Sequence, residues 1–227
     1  MRAMKVALFL SVLFLPPPTL LYAACGEEIE AVRHELVAEE QAIRAIEQTV
    51  RAVRAEFLSR DAALRETMTK PPAGYEQGLA RRLVELRRTE VEPKRAMLER
   101  LRTQHEEGRQ QWERGRQLLQ SQLVEARAAF EDQRISQEEF CRVREAYLQA
   151  LRLYRDGMQG YRTGMDFYAK ALAAYGERFL LPYTQGFSDR QRWVTLIQQL
   201  ERGDFLQDLL VPMTVNVVRS SPPGAPP

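Results

Sequence analysis

The amino-acid sequence predicts an all-α protein: an elongated antiparallel three-helix coiled-coil bundle with a short helical C-terminal extension and a disordered tail. Apolar residues recur at alternating steps of three and four along three long segments, at about residues 27–69, 76–133 and 137–179. Short polar or proline-containing breaks separate the segments, so consecutive helices should pack side by side in opposite directions. Residues 25–179 are therefore assigned to the rod.

Residues 1–24 predict a secretory signal sequence. Two basic residues, Arg2 and Lys5, precede an uncharged run over residues 6–15, and the small residues Ala23 and Ala24 follow. The run is about ten residues long, half of what a membrane-spanning helix needs. We expect a cleaved signal and export to the periplasm or the bacterial cell envelope, with an uncleaved membrane anchor as the alternative.

The charge balance argues against two classes of partner. The full chain has 33 basic and 31 acidic residues, and loss of Arg2 and Lys5 with the signal makes these numbers equal. A neutral rod lacks the basic stripe that binds nucleic acid and the basic face of membrane-surface helices. We expect no nucleic-acid partner, and membrane contact only through a lipid on Cys25 or an uncleaved signal.

The first two helices follow from their heptads and their prolines. One heptad position of the first helix is apolar throughout and comprises Ile29, Leu36, Ile43, Val50, Phe57 and Leu64. Pro71 and Pro72 end this helix, because the residue before a proline avoids the helical region. Pro93 lies inside the second segment and predicts either a kink or a restart of the helix there.

The third helix carries the most specific pattern in the chain. Ser136 and Glu139 form a capping box at its start. Its seam contains five tyrosines in one heptad position: Tyr147, Tyr154, Tyr161, Tyr168 and Tyr175. The favoured interpretation is core packing, in which rings and hydroxyls reach across the seam. The alternative is an aromatic surface for a partner, which with two rings of the extension gives seven partner-contact candidates: the five tyrosines, Trp193 and Phe205.

Five glycines should lie at one level of the rod. If the second and third helices form a hairpin turning near residue 135, facing residues have numbers that sum to about 270. Gly108 and Gly115 then lie opposite residues 162 and 155, close to Gly157, Gly160 and Gly164. We expect either close packing of the helix backbones or a hinge at this level.

Residues 180–218 form the C-terminal helical extension. Ser188 and Gln191 suggest a second capping box, and Gly203 a helix end. The β-branched residues over 213–218 predict extended chain that lies on the bundle or adds to the sheet edge of another protein. Residues 219–227, rich in Ser, Pro and Gly, predict a disordered tail.

The two cysteines are a candidate disulfide. Cys25 begins the first helix and Cys141 the third, and an up-down-up bundle brings these two helix starts to one end. A bridge over so long a loop would stabilise the fold by about 4–5 kcal/mol in the chain-entropy model. Two alternatives stay open: the sequence around Cys25 resembles a bacterial lipoprotein box, and cleavage after Gly26 would remove Cys25.

The sequence contains no pattern typical of catalysis. His34 and His105 are the only histidines and the hairpin does not bring them together; no metal-ligand spacing, phosphate-binding loop or activated nucleophile is present. We expect no enzyme activity, no cofactor and no metal. The favoured function is an envelope scaffold or adaptor that binds other envelope proteins. A periplasmic holdase-type chaperone and a lipid-anchored lipoprotein are the alternatives, and self-association stays open.

Overall fold

The protein is all-helical in the part of the chain that the structure, a computed structural model, describes. The backbone is described for residues 18–68 and 76–222, and the side chains for 28–64 and 77–222. Residues 1–17 of the predicted signal and residues 223–227 of the predicted tail lie outside the described residues, whereas residues 18–24 of the signal belong to α1 and residues 219–220 of the tail to α7. The α-helices are α1 (Pro18–Met68), α2 (Glu76–Leu86), α3 (Glu92–Glu131), α4 (Gln137–Tyr175), α5 (Leu181–Gln185), α6 (Arg190–Glu201) and α7 (Gln207–Ser220).

Two π-helical turns let long helices continue past a proline. The turn Arg87–Val91 joins α2 to α3 just before Pro93, and the turn Gly176–Leu180 joins α4 to α5 just before Pro182. A proline cannot donate the backbone hydrogen bond of an α-helix, and the wider π turn shifts the hydrogen-bond register in front of it. The helix therefore neither ends nor restarts at Pro93.

Helix α4 is the central element, since it packs against α1, α3 and α7. It runs parallel to α1: Glu28 pairs with Arg152, and the Phe57 ring packs on Tyr175 at 4.9 Å. It runs antiparallel to α3, as the hairpin register predicts. Three facing pairs have numbers that sum to 269 or 270: Phe130 with Phe140, Trp112 with Gly157, and His105 with Gly164.

The prediction for residues 213–218 was wrong, because they are helical and belong to α7. This helix lies along α3 and α4, where the Asn216 side-chain amide donates to the Gly160 carbonyl at 2.7 Å. Packing thus overrides the weak helix propensity of the valines. Beside α1, α3 and α4, the bundle has a fourth helix at this level.

The end of the bundle near α5 and α6 has a buried aromatic core. Trp193 is fully buried and donates its indole N–H to the Tyr183 carbonyl at 2.7 Å. The Phe179 ring packs on those of Tyr175 and Phe205. The capping box at Ser136 and Glu139 is present, whereas the N-cap of α6 is Asp189 and not Ser188 as predicted.

Candidate functional site: a charged ladder and groove

A ladder of paired charges runs along the face of α3 that meets α4 and α1. Helix α3 repeats a Glu-x-x-Arg unit every seven residues, with glutamates at Glu92, Glu99, Glu106 and Glu113 and arginines at Arg95, Arg102, Arg109 and Arg116. The arginines lie opposite the tyrosine ladder of α4, because each facing pair again sums to 270. The heptad spacing therefore brings one arginine to each of four tyrosines.

Each arginine in the middle of the ladder covers an aromatic ring. The guanidinium carbon of Arg102 lies 5.9 Å from the centroid of the Tyr168 ring. The corresponding distance is 4.9 Å from Arg109 to Tyr161 and 5.2 Å from Arg116 to Tyr154. These distances fit cation–π contacts.

The hydroxyls of Tyr154, Tyr161 and Tyr168 donate hydrogen bonds to glutamate carboxylates. Tyr154 donates to Glu113 at 2.7 Å and Tyr168 to Glu99 at 2.6 Å, both on α3. Tyr161 instead donates to Glu47 of α1 at 3.1 Å, and Arg109 also binds Glu47. Tyr161 and Arg109 therefore tie the three long helices together at one level.

These contacts set the protonation of the ladder. Burial, followed by the hydrogen bonds to glutamate, raises the pKa of Tyr154 and Tyr168, so both hydroxyls stay protonated donors. The hydrogen bond from Arg116, with a smaller contribution from Tyr154, lowers the pKa of Glu113 to about 2. At neutral pH Glu113 is therefore a carboxylate, and the hydroxyls of Tyr154 and Tyr168 are protonated.

Above the ladder, α1 and α3 leave a groove of about 790 Å³, which we call the α1/α3 groove. Its floor is Tyr154, Met158 and Tyr161 of α4 with the buried Ile43 of α1. Its walls are charged or amide side chains: Glu40, Arg44 and Glu47 of α1, and Glu106, Arg109, Gln110, Glu113, Arg114, Arg116 and Gln117 of α3. The exposed Arg44 and Arg114 make no ion pair within the described residues. The groove thus presents two unpaired cations, one on each wall, and the carboxylate of Glu40 on the α1 wall, which also makes no ion pair within the described residues.

On the opposite side of α3, two side chains of α3 bind the backbone of α7. Trp112 donates its indole N–H to the Ser220 carbonyl at 2.7 Å. His105, only 3% exposed, bonds to the backbone of Met213, and its Nε2 has no hydrogen-bond partner among the described residues. Burial lowers the pKa of His105 to about 4, so the buried imidazole is neutral at pH 7.

The partner-contact candidates lie inside the bundle. The five tyrosines are at most 5% exposed, Trp193 is 0% exposed and Phe205 is 6% exposed. They pack against the chain's own helices, as the core interpretation predicts, and only Tyr154 and Tyr161 also line the α1/α3 groove. The alternative interpretation of these seven residues as partner contacts stays a prediction, and the burial of their rings argues against it.

The five glycines behave in two ways. A Cβ at Gly157, Gly160 or Gly164 would lie within 2.4 Å of Trp112, Ser220 or His105, so these positions make room for side chains of α3 and α7. A Cβ at Gly108 or Gly115 would meet nothing within 4 Å. Close packing was therefore wrong for Gly108 and Gly115. At Gly157 and Gly164 it involves side chains of α3, and at Gly160 it involves both the side chain and the backbone of Ser220, whose Cα lies 3.3 Å from the Cβ position.

The disulfide stays a prediction. Cys141 is a half-buried thiol on α4, and the Cys25 side chain lies outside the described residues. The alignment of α1 with α4 is compatible with a bridge between the two cysteines. Phe57 and Tyr175, which are 118 positions apart, are in contact, and the cysteines are 116 positions apart.

Neither a metal-binding group nor a membrane-spanning helix is found in the part of the chain that the structure describes. Within the described residues, no three His, Cys, Asp or Glu side chains are grouped so that they could hold a metal ion. None of the described helices combines the length and apolarity needed to cross a membrane. Comparisons with protein-family models, curated proteins and solved structures found no match.

Sequence reasoning missed the arginine half of the ladder and the groove. The spacing of Arg95, Arg102, Arg109 and Arg116 is as regular as that of the tyrosines, and the hairpin sum of 270 pairs the two rows. The groove itself depends on how far α1 stands from α3, which no residue pattern reports.

Proposed function

We propose that this chain is a non-enzymatic adaptor of the bacterial cell envelope, and that the α1/α3 groove binds an acidic segment of a partner protein. The scaffold would be a coiled-coil packing of α1, α3 and α4. The observation that carries the proposal is the groove with Arg44 and Arg114 unpaired on its opposite walls. Arginine forms bidentate hydrogen bonds with carboxylates and is common at interfaces.

The chemistry of the groove favours a polypeptide over an apolar ligand. Its walls carry amide and charged side chains, and its floor tyrosines are nearly buried. Gln110 and Gln117 can both donate to and accept from a peptide backbone, while the two arginines receive carboxylates. A holdase needs exposed apolar surface for unfolded clients, so the groove supports an adaptor better than a chaperone.

The protonation of the site also favours binding over catalysis. A general base needs a pKa near the working pH and access to substrate. The hydroxyls of Tyr154 and Tyr168 have raised pKa values, Glu113 has a lowered one, and His105 is buried on the far side of α3. These four groups therefore keep their protonation states near neutral pH, which suits binding better than proton transfer.

A photo-crosslinker at Gln110 tests where the partner binds. Gln110 lies on the groove wall, and Gln159 provides a matched control because it is exposed on α4 at the same level of the bundle. We expect one defined partner to be crosslinked in native envelopes from Gln110 and not from Gln159. Equal crosslinking from both positions, or none from Gln110, would reject the groove as the binding site.

Charge reversal then tests the recognition. Arg44→Glu and Arg114→Glu should each reduce recovery of that partner about tenfold or more, since a buried or half-buried charge pair across an interface is lost and replaced by repulsion. Arg51→Glu and Arg100→Glu change exposed arginines at equivalent heptad positions outside the groove and should leave recovery unchanged. A partner that binds all four variants alike does not use these arginines.

Two further measurements test the location and the alternative function. The mass of the N-terminal peptide of the native protein, with and without reductant, separates a disulfide-bonded, a lipidated and a removed Cys25. An unprocessed N-terminus in a cytosolic fraction would contradict export. Suppression of light scattering by an aggregating client, unaffected by Arg44→Glu, would favour the chaperone over the adaptor.

A further inference from the structure

Helix α7 is apolar on two faces and is covered on only one. Its inner face packs on α3 and α4 through Leu210 and Met213, which are at most 3% exposed. Its outer face carries Val211, Val215 and Val218, which are 59%, 44% and 75% exposed. A helix that is apolar all round is normally buried all round.

The spacing of the outer valines is that of a helix-pairing seam. Steps of four and then three residues, from Val211 to Val215 to Val218, keep the three side chains on one stripe. Valine is a poor helix former, so three exposed valines disfavour α7 unless another surface covers them.

We propose that this stripe pairs with the same stripe of a second copy of the chain, with the two α7 helices antiparallel about a two-fold axis. The charges at the two ends of α7 decide the partner and the direction. Asp208 and Arg219 lie on the same flank of the stripe, and residues on one flank face each other across an antiparallel pair. Each Asp208 would therefore meet the Arg219 of the other copy, whereas in a parallel pair this flank of one helix would face the opposite flank of the other and the two charges would not meet.

Asp208 already has one partner in its own chain, whereas Arg219 has no ion pair among the described residues. Asp208 binds Arg178 of the same chain at 2.8 Å through each carboxylate oxygen, and a second arginine can join such a pair. Arg219 makes no ion pair within the described residues. In the same register, Val211 of one copy packs on Val215 of the other, twice by symmetry.

This interface is independent of the proposed partner site. The α1/α3 groove lies on one side of α3, whereas α7 covers the groove between α3 and α4 on the other side. The dimer would therefore present two α1/α3 grooves, one from each copy.

Sedimentation equilibrium of the full-length mature protein, over about 1 to 200 µM, tests the dimer. We expect reversible dimerisation with a dissociation constant on the order of 10 µM, because a single helix pair buries less surface than a standard interface. Val215→Glu should weaken dimerisation at least about tenfold, and Arg219→Glu about threefold at low salt, with a smaller effect at high salt.

Val124→Glu is the matched control, because Val124 is a 63% exposed valine on α3 away from α7. It should leave the dimer unchanged, and circular dichroism should show that all three variants keep their helix content. A monomer over the whole concentration range, or equal loss of dimer in Val124→Glu and Val215→Glu, would overturn the proposal. So would a dimer insensitive to Val215→Glu, or recruitment of the wild-type monomer to neutral phospholipid vesicles through the valines.

Discussion

One end and the middle of the tyrosine ladder show how one heptad position can have two structural roles. At one end, Tyr175 packs in the aromatic core with Phe57, Phe179 and Phe205. In the middle, Tyr154 and Tyr161 lie under arginines, bind glutamates and form the floor of a groove. The residue type and its spacing are the same, and the neighbouring helices differ.

The difference follows from which residues of α3 face the tyrosines. Leu98 and Leu101 of α3 are buried near the aromatic end, whereas no apolar residue of α3 beyond His105 is fully buried in the described chain. The aromatic end should hold most of the stability. The ladder should contribute less, because cation–π contacts and ion pairs near the surface are individually small. The ladder region is the less tightly packed of the two, so it can adjust to a partner at a lower cost in stability and is better suited to a binding surface.

The largest effect expected is that of Phe179→Ala in the aromatic core. Phe179 is 0% exposed, so its removal leaves a cavity among Tyr175, Tyr183 and Phe205. We expect the free energy of unfolding to fall by about 3–5 kcal/mol, measured by urea denaturation.

The matched truncation at the other end of α3 is Phe130→Ala. Phe130 is half-buried and stacked on Phe140 at 5.1 Å. We expect it to cost less than about 2 kcal/mol. Equal costs at Phe130 and Phe179 would show that the two ends are packed alike and would remove the basis of the comparison.

The next effect is a loss of stability in acid through His105. The pKa of His105 is about 4 in the folded chain and 6.5 when exposed, so the unfolded chain takes up the proton first as the pH falls. The free energy of unfolding is therefore unaffected above about pH 7 and falls by about 3 kcal/mol between pH 6.5 and 4. Urea denaturation at pH 7.5 and 4.5 captures most of this change.

Two substitutions assign that pH dependence. His105→Gln should flatten it, while His34→Gln, at an exposed position, should leave it in place. Glu113, with a pKa of about 2, loses its contribution below about pH 4.5, so it overlaps only the acid end of this window and lies outside the range from pH 7.5 to 4.5 that is measured. A pH profile identical in His105→Gln and the wild type would show that His105 is not buried as a neutral group.

The sequence predicts those parts of the fold that depend on local spacing. The seams of α1 and α4, the capping box at Ser136 and the hairpin sum of 270 all follow from residues a few positions apart or from one turn. Helix α7 does not, because its valines favour extended chain and only its fit against Gly160 and Trp112 makes it helical. The π turns before Pro93 and Pro182 also need the packing of the whole helix, which continues across each proline.

The candidate site was harder to predict for the same reason. Tyr154 and Tyr161 were recognised, and their arginine partners could have been. The exposed arginines Arg44 and Arg114 have no local pattern that separates them from many other solvated arginines. Their significance depends on the α1/α3 separation alone.

Glycine substitutions provide a smaller test with opposite signs. Gly157→Ala places a methyl group 2.4 Å from the Trp112 ring, which must shift and lose its hydrogen bond to Ser220. We expect it to cost about 1–3 kcal/mol. Gly108→Ala meets nothing within 4 Å and should stabilise the helix by about 0.5–1 kcal/mol. Thermal unfolding followed by tryptophan fluorescence measures both, and destabilisation by both would place Gly108 in a packed interface.

The smallest effect separates two tyrosines of the same heptad position on α4. Tyr154→Phe removes the hydroxyl that donates to Glu113, so the free energy of unfolding should fall by about 1 kcal/mol. Tyr175→Phe removes a buried hydroxyl that has no hydrogen-bond partner among the described residues, so it should be neutral or stabilising. A double-mutant cycle of Tyr154→Phe with Glu113→Gln should give a coupling energy of about 0.5–1.5 kcal/mol, measured by urea denaturation. Equal destabilisation by both Phe variants would mean that the Tyr175 hydroxyl is also satisfied in solution, and that the polar ladder extends into the aromatic end.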